Sequence, residues 1–134
     1  MRLAIVSDVH GNLPALEAVV SALALERPDV TVHGGDLVTN GPRPAGVVDM
    51  VRELGWPGVL GNTDEALWAI PPGLPENVAA HFRLAAPATL RMIGPERTGW
   101  LRGHPLEWRA EGVALVHAAP GQLWRGVSAH APDS

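Results

Sequence analysis

Short apolar runs that each stop at a side chain able to bind a metal constrain this chain most. Leu3-Ala4-Ile5-Val6 leads into Asp8-Val9-His10, and Val30 to His33 leads into Gly34-Gly35-Asp36. Pro57 to Leu60 leads into Gly61-Asn62, and Val113 to Val116 leads into His117. Such a run, short and branched, suits a strand buried on both faces. Leu13, Leu16, Val19, Val20 and Leu23 lie between the first two runs at helical spacing. With Asn12 placed to cap and Pro14 in the first turn, they predict a helix to about Glu26. Val47, Val48, Val51 and Leu54 mark a second helix ahead of the third run. The order β-α-β-α-β is that of a parallel sheet with helical crossovers.

The rest is less regular. Asp64 to Ala69 reads as one or two helical turns, Pro71 to Pro75 as a loop, and 76–86 and 95–102 as helices. Leu106 to Arg109 and Val113 to Val116 read as strands joined by a hairpin turn at Ala110-Glu111-Gly112. No internal repeat or linker interrupts the chain, so residues 1–134 are expected to form a single α/β domain.

The 134 residues contain no cysteine. That excludes a disulfide framework, a thiolate zinc finger, an iron–sulfur site and a cysteine nucleophile. Any metal must be held by oxygen and imidazole. A net charge of −4 argues against a nucleic-acid binder built on a broad basic surface. No segment approaches the ~18 apolar residues that cross a membrane, and the apolar N-terminus is interrupted too early for a signal peptide. A soluble, cytoplasmic protein is expected.

In open α/β sheets, ligands bind beyond the carboxyl ends of the strands. A parallel arrangement would gather Asp8, His10, Asp36 and Asn62 in one crevice. Asp8 and His10 are two apart, so an extended backbone would send both side chains to one side. Asp36 is the natural carboxylate to bridge two cations, with imidazole and amide donors completing the set. Such donors suit manganese, iron, zinc or nickel better than magnesium. Two cations ~3.5–4 Å apart can serve an in-line displacement at phosphorus.

The blocks Asp8-Val9-His10-Gly11-Asn12, Gly35-Asp36 and Gly61-Asn62-Thr63-Asp64, followed by His117, resemble the calcineurin-like metallophosphoesterase family. The run from Gly35 to Leu67, with Gly41-Pro42 inside it, looks most like the bacterial branch related to diadenosine tetraphosphatases and small phosphodiesterases. The resemblance covers roughly residues 1–125 and implies a four-layer αββα sandwich. It implies two divalent metal ions, with Asp8 and His10 on the first, Asp36 bridging, and Asn62 and His117 on the second. The implied reaction is hydrolysis of a small phosphomonoester or phosphodiester by a metal-bridged hydroxide.

Two departures follow from the same comparison. Where the family often carries a leaving-group histidine, this chain has Thr63. The adjoining Asp64 commonly orients that histidine, so leaving-group protonation would pass to solvent or to a protonated Asp64. Thr63 and Asp64 are the candidate catalytic positions. The family also closes its site with a Gly-His-x-His block that gives one histidine to each metal, and no such block occurs in the 134 residues. The expectation is a C-terminally truncated member with weakened metal affinity and an uncovered sheet edge that encourages homo-oligomers.

Each residue also has a plainer reading. Asp8 and His10 could form a solvated strand-end turn, Asp36 a turn, and Asn62 a cap for the following helix. Arg43, near the mouth of the crevice, is the candidate phosphate contact, against a solvated loop arginine. His33 is expected in the core or in a hydrogen bond, His81 exposed on a helix, His104 in a turn and His130 in the tail. The five tryptophans read mainly as packing, with Trp68 and Trp124 near the motifs. A rival to the enzyme is a catalytically weak or inactive module of the same fold that acts as a protein-binding scaffold. A nucleotide-binding domain ranks last, because no phosphate-cradling Gly-rich loop is present.

Overall fold

The computed structural model describes residues 1–127. Strand β1 (Leu3–Val6) pairs in parallel with β2 (Val30–His33), Leu3 beside Val30 and Val6 beside His33. Helix α1 (Leu13–Glu26) connects them. The Asn12 side chain accepts the Ala15 N–H at 3.1 Å, and Arg27 ends the helix in the left-handed region. Helix α2 (Pro44–Leu54) begins on Pro44, whose missing N–H costs nothing in a first turn, and ends at Gly55 with φ 67°. Both helices form where the apolar spacing predicts them.

The third run departs from expectation. Residues 57–60 make a single parallel bridge, Gly58 beside His33, and no full strand. The His33 N–H donates to Pro57 O at 2.9 Å and the Val59 N–H to His33 O at 3.1 Å, but the Leu60 N–H turns away to Pro105 O. The segment divides its backbone bonds between β2 and the turn ahead of the hairpin, so no continuous ladder forms. Strand β1 also differs from the doubly buried strand expected. Ile5 is 53% exposed, because among the described residues no strand or helix covers that face.

Helix α3 (Asn62–Glu65) continues as turns through Ala69. Helix α4 (Glu76–Arg102) joins the two helices expected separately, broken only at Gly94, where φ is 76°. The segment between 86 and 93 stays helical because Ala86, Thr89 and Ile93 fall on the buried face. Pro87 lies on the exposed side, where water can satisfy the carbonyl it leaves free. Strands β3 (Glu107–Ala110) and β4 (Val113–Val116) form an antiparallel hairpin. Its two-residue turn, Glu111-Gly112, has φ 45° and 79°, the primed geometry that matches strand twist.

The core lies between the helices and the β2 edge. Leu13 and Leu16 of α1, Val47, Val48 and Val51 of α2, and Ala86, Ile93 and Leu101 of α4 close around Leu37 and Val38. Burying each large aliphatic side chain contributes about 1.5–3 kcal/mol. Leu37 and Val38 follow Asp36 directly and are both fully buried, so the core itself anchors the loop that carries Asp36.

Candidate metal centre

Backbone hydrogen bonds bring the loops after β1 and β2 together. The Asp8 N–H donates to Gly35 O at 3.1 Å, the His10 N–H to Asp36 O at 2.9 Å and the Gly11 N–H to Leu37 O at 2.8 Å. Asp8, His10 and Asp36 all have positive φ, at 58°, 48° and 56°. Asp8 and His10 therefore converge through left-handed turns, not through strand alternation. Such conformations cost of order 1–3 kcal/mol each in a non-glycine residue and persist where surroundings enforce them. The close approach also dictates two glycines. A Cβ on Gly41 would sit 1.8 Å from His10 O, and one on Gly61 would sit 2.1 Å from Asp36 Oδ1.

One ligand atom from each of Asp8, His10 and Asp36 lies within 4.8 Å of the others. His10 Nε2 stands 3.7 Å from Asp8 Oδ1 and 3.6 Å from Asp36 Oδ2. A second cluster shares Asp36. His117 Nε2 lies 2.8 Å from Asn62 Oδ1 and 3.5 Å from Asp36 Oδ1. The five side chains picked out along the sequence thus come together, with one oxygen of Asp36 facing each group.

The imidazoles are oriented for ligation. His10 Nδ1 is 2.9 Å from Thr39 O, and His117 Nδ1 is 2.6 Å from Gly34 O. A carbonyl can only accept, so each Nδ1 carries a proton, and the neutral ring offers its Nε2 lone pair to the cluster. At the second cluster, that lone pair, Asn62 Oδ1 and Asp36 Oδ1 turn electron density toward one point. A cation relieves this repulsion, and the donor set of carboxylate, amide and imidazole fits a divalent transition metal.

The two candidate catalytic positions face elsewhere. Asp64 is 1% exposed. Its Oδ2 accepts the N–H of Asp36 at 2.7 Å and of Gly61 at 3.2 Å, and its Oδ1 accepts the Leu37 N–H at 3.0 Å. Burial, and then the charge of Asp36, push its pKa up to about 6, while the three backbone donors pull the other way. Thr63 gives its N–H to Asp36 Oδ1 at 3.0 Å, and its own hydroxyl is buried without a partner among the described residues. Asn62 is the first residue of α3 and Gly61 is the cap, so capping does not compete for the Asn62 side chain.

Arg43 is exposed, and its backbone N–H donates to Gly11 O at 3.0 Å, which holds it beside the first loop. Sequence reasoning missed two supports. Trp124 Nε1 donates to Glu65 at 2.9 Å and its ring meets Phe82 edge-on, tying the segment after His117 to α3 and α4. His81 Nε2 lies 2.8 Å from Asn40 Oδ1, next to the residue that holds His10. No spacing signal in the sequence links these pairs. His130 lies outside the described residues. A cleft of about 690 Å³ is lined by Trp56, Trp100, His104 and Trp108 and by none of the five candidate ligands. The candidate centre is picked out by its donor chemistry, not by this cleft.

His33 and His104 form a separate pair, with their Nε2 atoms 3.0 Å apart. His104 Nδ1 faces Trp100 O and Leu101 O, so its Nε2 accepts and His33 Nε2 donates. Burial, reinforced by His104, lowers the His33 pKa to about 3. Burial also lowers that of His104.

The family model of calcineurin-like phosphoesterases matches residues 1–133. The chain is 29% identical over 114 residues to phosphodiesterase YfcE of Escherichia coli K12, covering 78% of this chain and 58% of that protein. Among solved structures it matches a metallophosphoesterase from Sphaerobacter thermophilus with TM-score 0.75 and 36% identity, over 95% of this chain and 51% of that one. Hypothetical protein PH1004 from Pyrococcus horikoshii matches in fold, with TM-score 0.76, 20% identity, and coverage of 93% and 57%. The chain therefore spans just over half the length of these relatives. Among the described residues, no helix is long and apolar enough to cross a membrane. With its strand-end donors gathered around Asp36 and its fold shared across these relatives, the chain belongs to the calcineurin-like phosphoesterase family.

Proposed function

We propose that this chain carries the metal centre of a phosphoesterase that hydrolyses a small phosphomonoester or phosphodiester. Asp8, His10 and Asp36 would hold one divalent cation, and Asp36, Asn62 and His117 the other, with manganese the first candidate and iron, zinc or nickel compatible with the same donors. The supporting observation is that Asp36 turns Oδ2 toward His10 and Oδ1 toward His117, each imidazole being fixed through Nδ1 on a carbonyl. Bound cations would supply an activated water nucleophile and neutralise phosphoryl charge. The chain's own residues orient that chemistry. Thr39 O and Gly34 O fix the tautomer of each ring, the Thr63 N–H limits how Asp36 Oδ1 can turn, and exposed Arg43 stands free to meet a phosphate oxygen.

The purified chain loaded with Mn²⁺ should hydrolyse bis-p-nitrophenyl phosphate or p-nitrophenyl phosphate, and Asp36→Ala should remove both bound metal and turnover. Absence of metal uptake at millimolar Mn²⁺, or turnover indifferent to that substitution, would sink the reading. One observation favours the scaffold alternative. Among the described residues, each cation would have three protein donors, Asp36 counted twice. Stable metal binding without turnover on either ester would support that alternative.

A further inference from the structure

A carboxylate beside a hydrolytic centre invites a role in proton transfer, and Asp64 has the adjoining position in sequence. Its geometry points to a different task. Asp64 lies in α3, two residues beyond the candidate ligand Asn62, yet two of its three acceptor contacts cross to the loop after β2. They reach the N–H groups of Asp36 and Leu37 at 2.7 and 3.0 Å. The third closes on the Gly61 N–H at 3.2 Å, at the start of its own helix. All are buried, and among the described residues no other side chain hydrogen-bonds the carboxylate. The linkage is reciprocal, because Asp36 Oδ1 accepts the Thr63 N–H at 3.0 Å.

We propose that Asp64 is a positioning residue: its carboxylate joins the Asp36 loop to the start of α3, which carries Asn62, and so sets the spacing of the two metal clusters. This rests on the metal-centre reading given above. The argument is one of constraint. Asp36 sits at φ 56° and must aim its two oxygens at different rings. A buried N–H left unpaired is costly, so three donors converging on one carboxylate hold both loops in a single arrangement. Gly61 permits the approach, since any Cβ there would strike Asp36. Groups that orient ligands in this way typically change metal affinity 10–100-fold when altered.

NMR on the full chain, with and without Co²⁺, tests this. In the wild type, hydrogen-bond scalar couplings should connect the amide nitrogens of Asp36, Leu37 and Gly61 to the Asp64 carboxyl carbon, a readout that needs no variant. Asp64→Asn should speed exchange of those three amides at least about 30-fold relative to the β1–β2 amides. It should weaken Co²⁺ binding at least about 10-fold and alter the cobalt d–d spectrum. Leu101→Ala, a core substitution, should loosen the helices without singling out these amides or changing the spectrum. Missing couplings, or an Asp64→Asn profile that tracks Leu101→Ala, would overturn the proposal. Couplings present in a wild type that takes up no Co²⁺ would defeat the phosphoesterase reading while leaving the linkage standing. Co²⁺ uptake without the couplings would do the reverse.

Discussion

The two halves of the candidate metal centre are built differently. Asp8 and His10 come from one short loop, and their side chains remain 56% and 33% exposed. Asn62 and His117 come from segments 55 residues apart, and the His117 side chain is 9% exposed. The first half needs only that the β1 loop lie against the Asp36 loop. The second needs β4 to deliver His117 to Gly34 O, across 83 residues of chain. A local, open half-site should exchange its ligand readily; a closed one assembled from distant segments should bind metal and support the fold together.

The largest effect should come from Asp36, which both halves share. Asp36→Asn should lower turnover about 100–1,000-fold, the range seen when groups central to charge stabilisation are removed, and isothermal titration should find both cations weakened. Next come the two histidines, which separate the halves. His117→Ala should weaken one cation and also lower stability by about 1–3 kcal/mol in urea titration, because it leaves a buried carbonyl unpaired. His10→Ala should weaken the other cation with little change in the urea midpoint. Equal stability losses would show that the two halves do not differ as drawn.

A smaller effect concerns His33, outside the centre. Its folded pKa of about 3 lies below the ordinary histidine value of 6.5, so the unfolded chain takes up the proton first as pH falls. The stability that neutral His33 contributes is present above pH 6.5 and declines toward pH 3. The difference in stability between wild type and His33→Gln should shrink by about 1.4 kcal/mol per pH unit below 6.5. A difference independent of pH would show that His33 does not titrate in this way. The smallest effect is expected at the surface ion pair of Arg97 with Asp49, which bridges α4 to α2 in the open. Arg97→Ala should leave the thermal midpoint nearly unmoved, as exposed pairs contribute little.

Much of this was legible in the chain itself. Helix α1 follows its apolar spacing and Asn12 cap, and the Glu111-Gly112 turn sits where the hairpin was expected. The five ligand candidates were legible because each follows an apolar run directly. Other features were not. Residues 57–60 have the composition of a strand, but Leu60 gives its N–H to Pro105. Pro87 reads as a break, yet its exposed side tolerates it within α4. Asp64 reads as an acid because sequence shows its neighbour Thr63 and not the three N–H groups facing it. The His33–His104 pair joins positions 71 residues apart, with no periodicity to announce it.

The sequence by itself determined which residues could bind metal and which segments would turn or coil, because those properties depend on side-chain chemistry and near neighbours. Tertiary structure alone decided which oxygen of Asp36 faces which imidazole, which nitrogen of each ring is free, and where the Asp64 carboxylate points. Those depend on hydrogen bonds between loops far apart in the chain, and only packing of Leu37 and Val38 into the core brings the loops within reach.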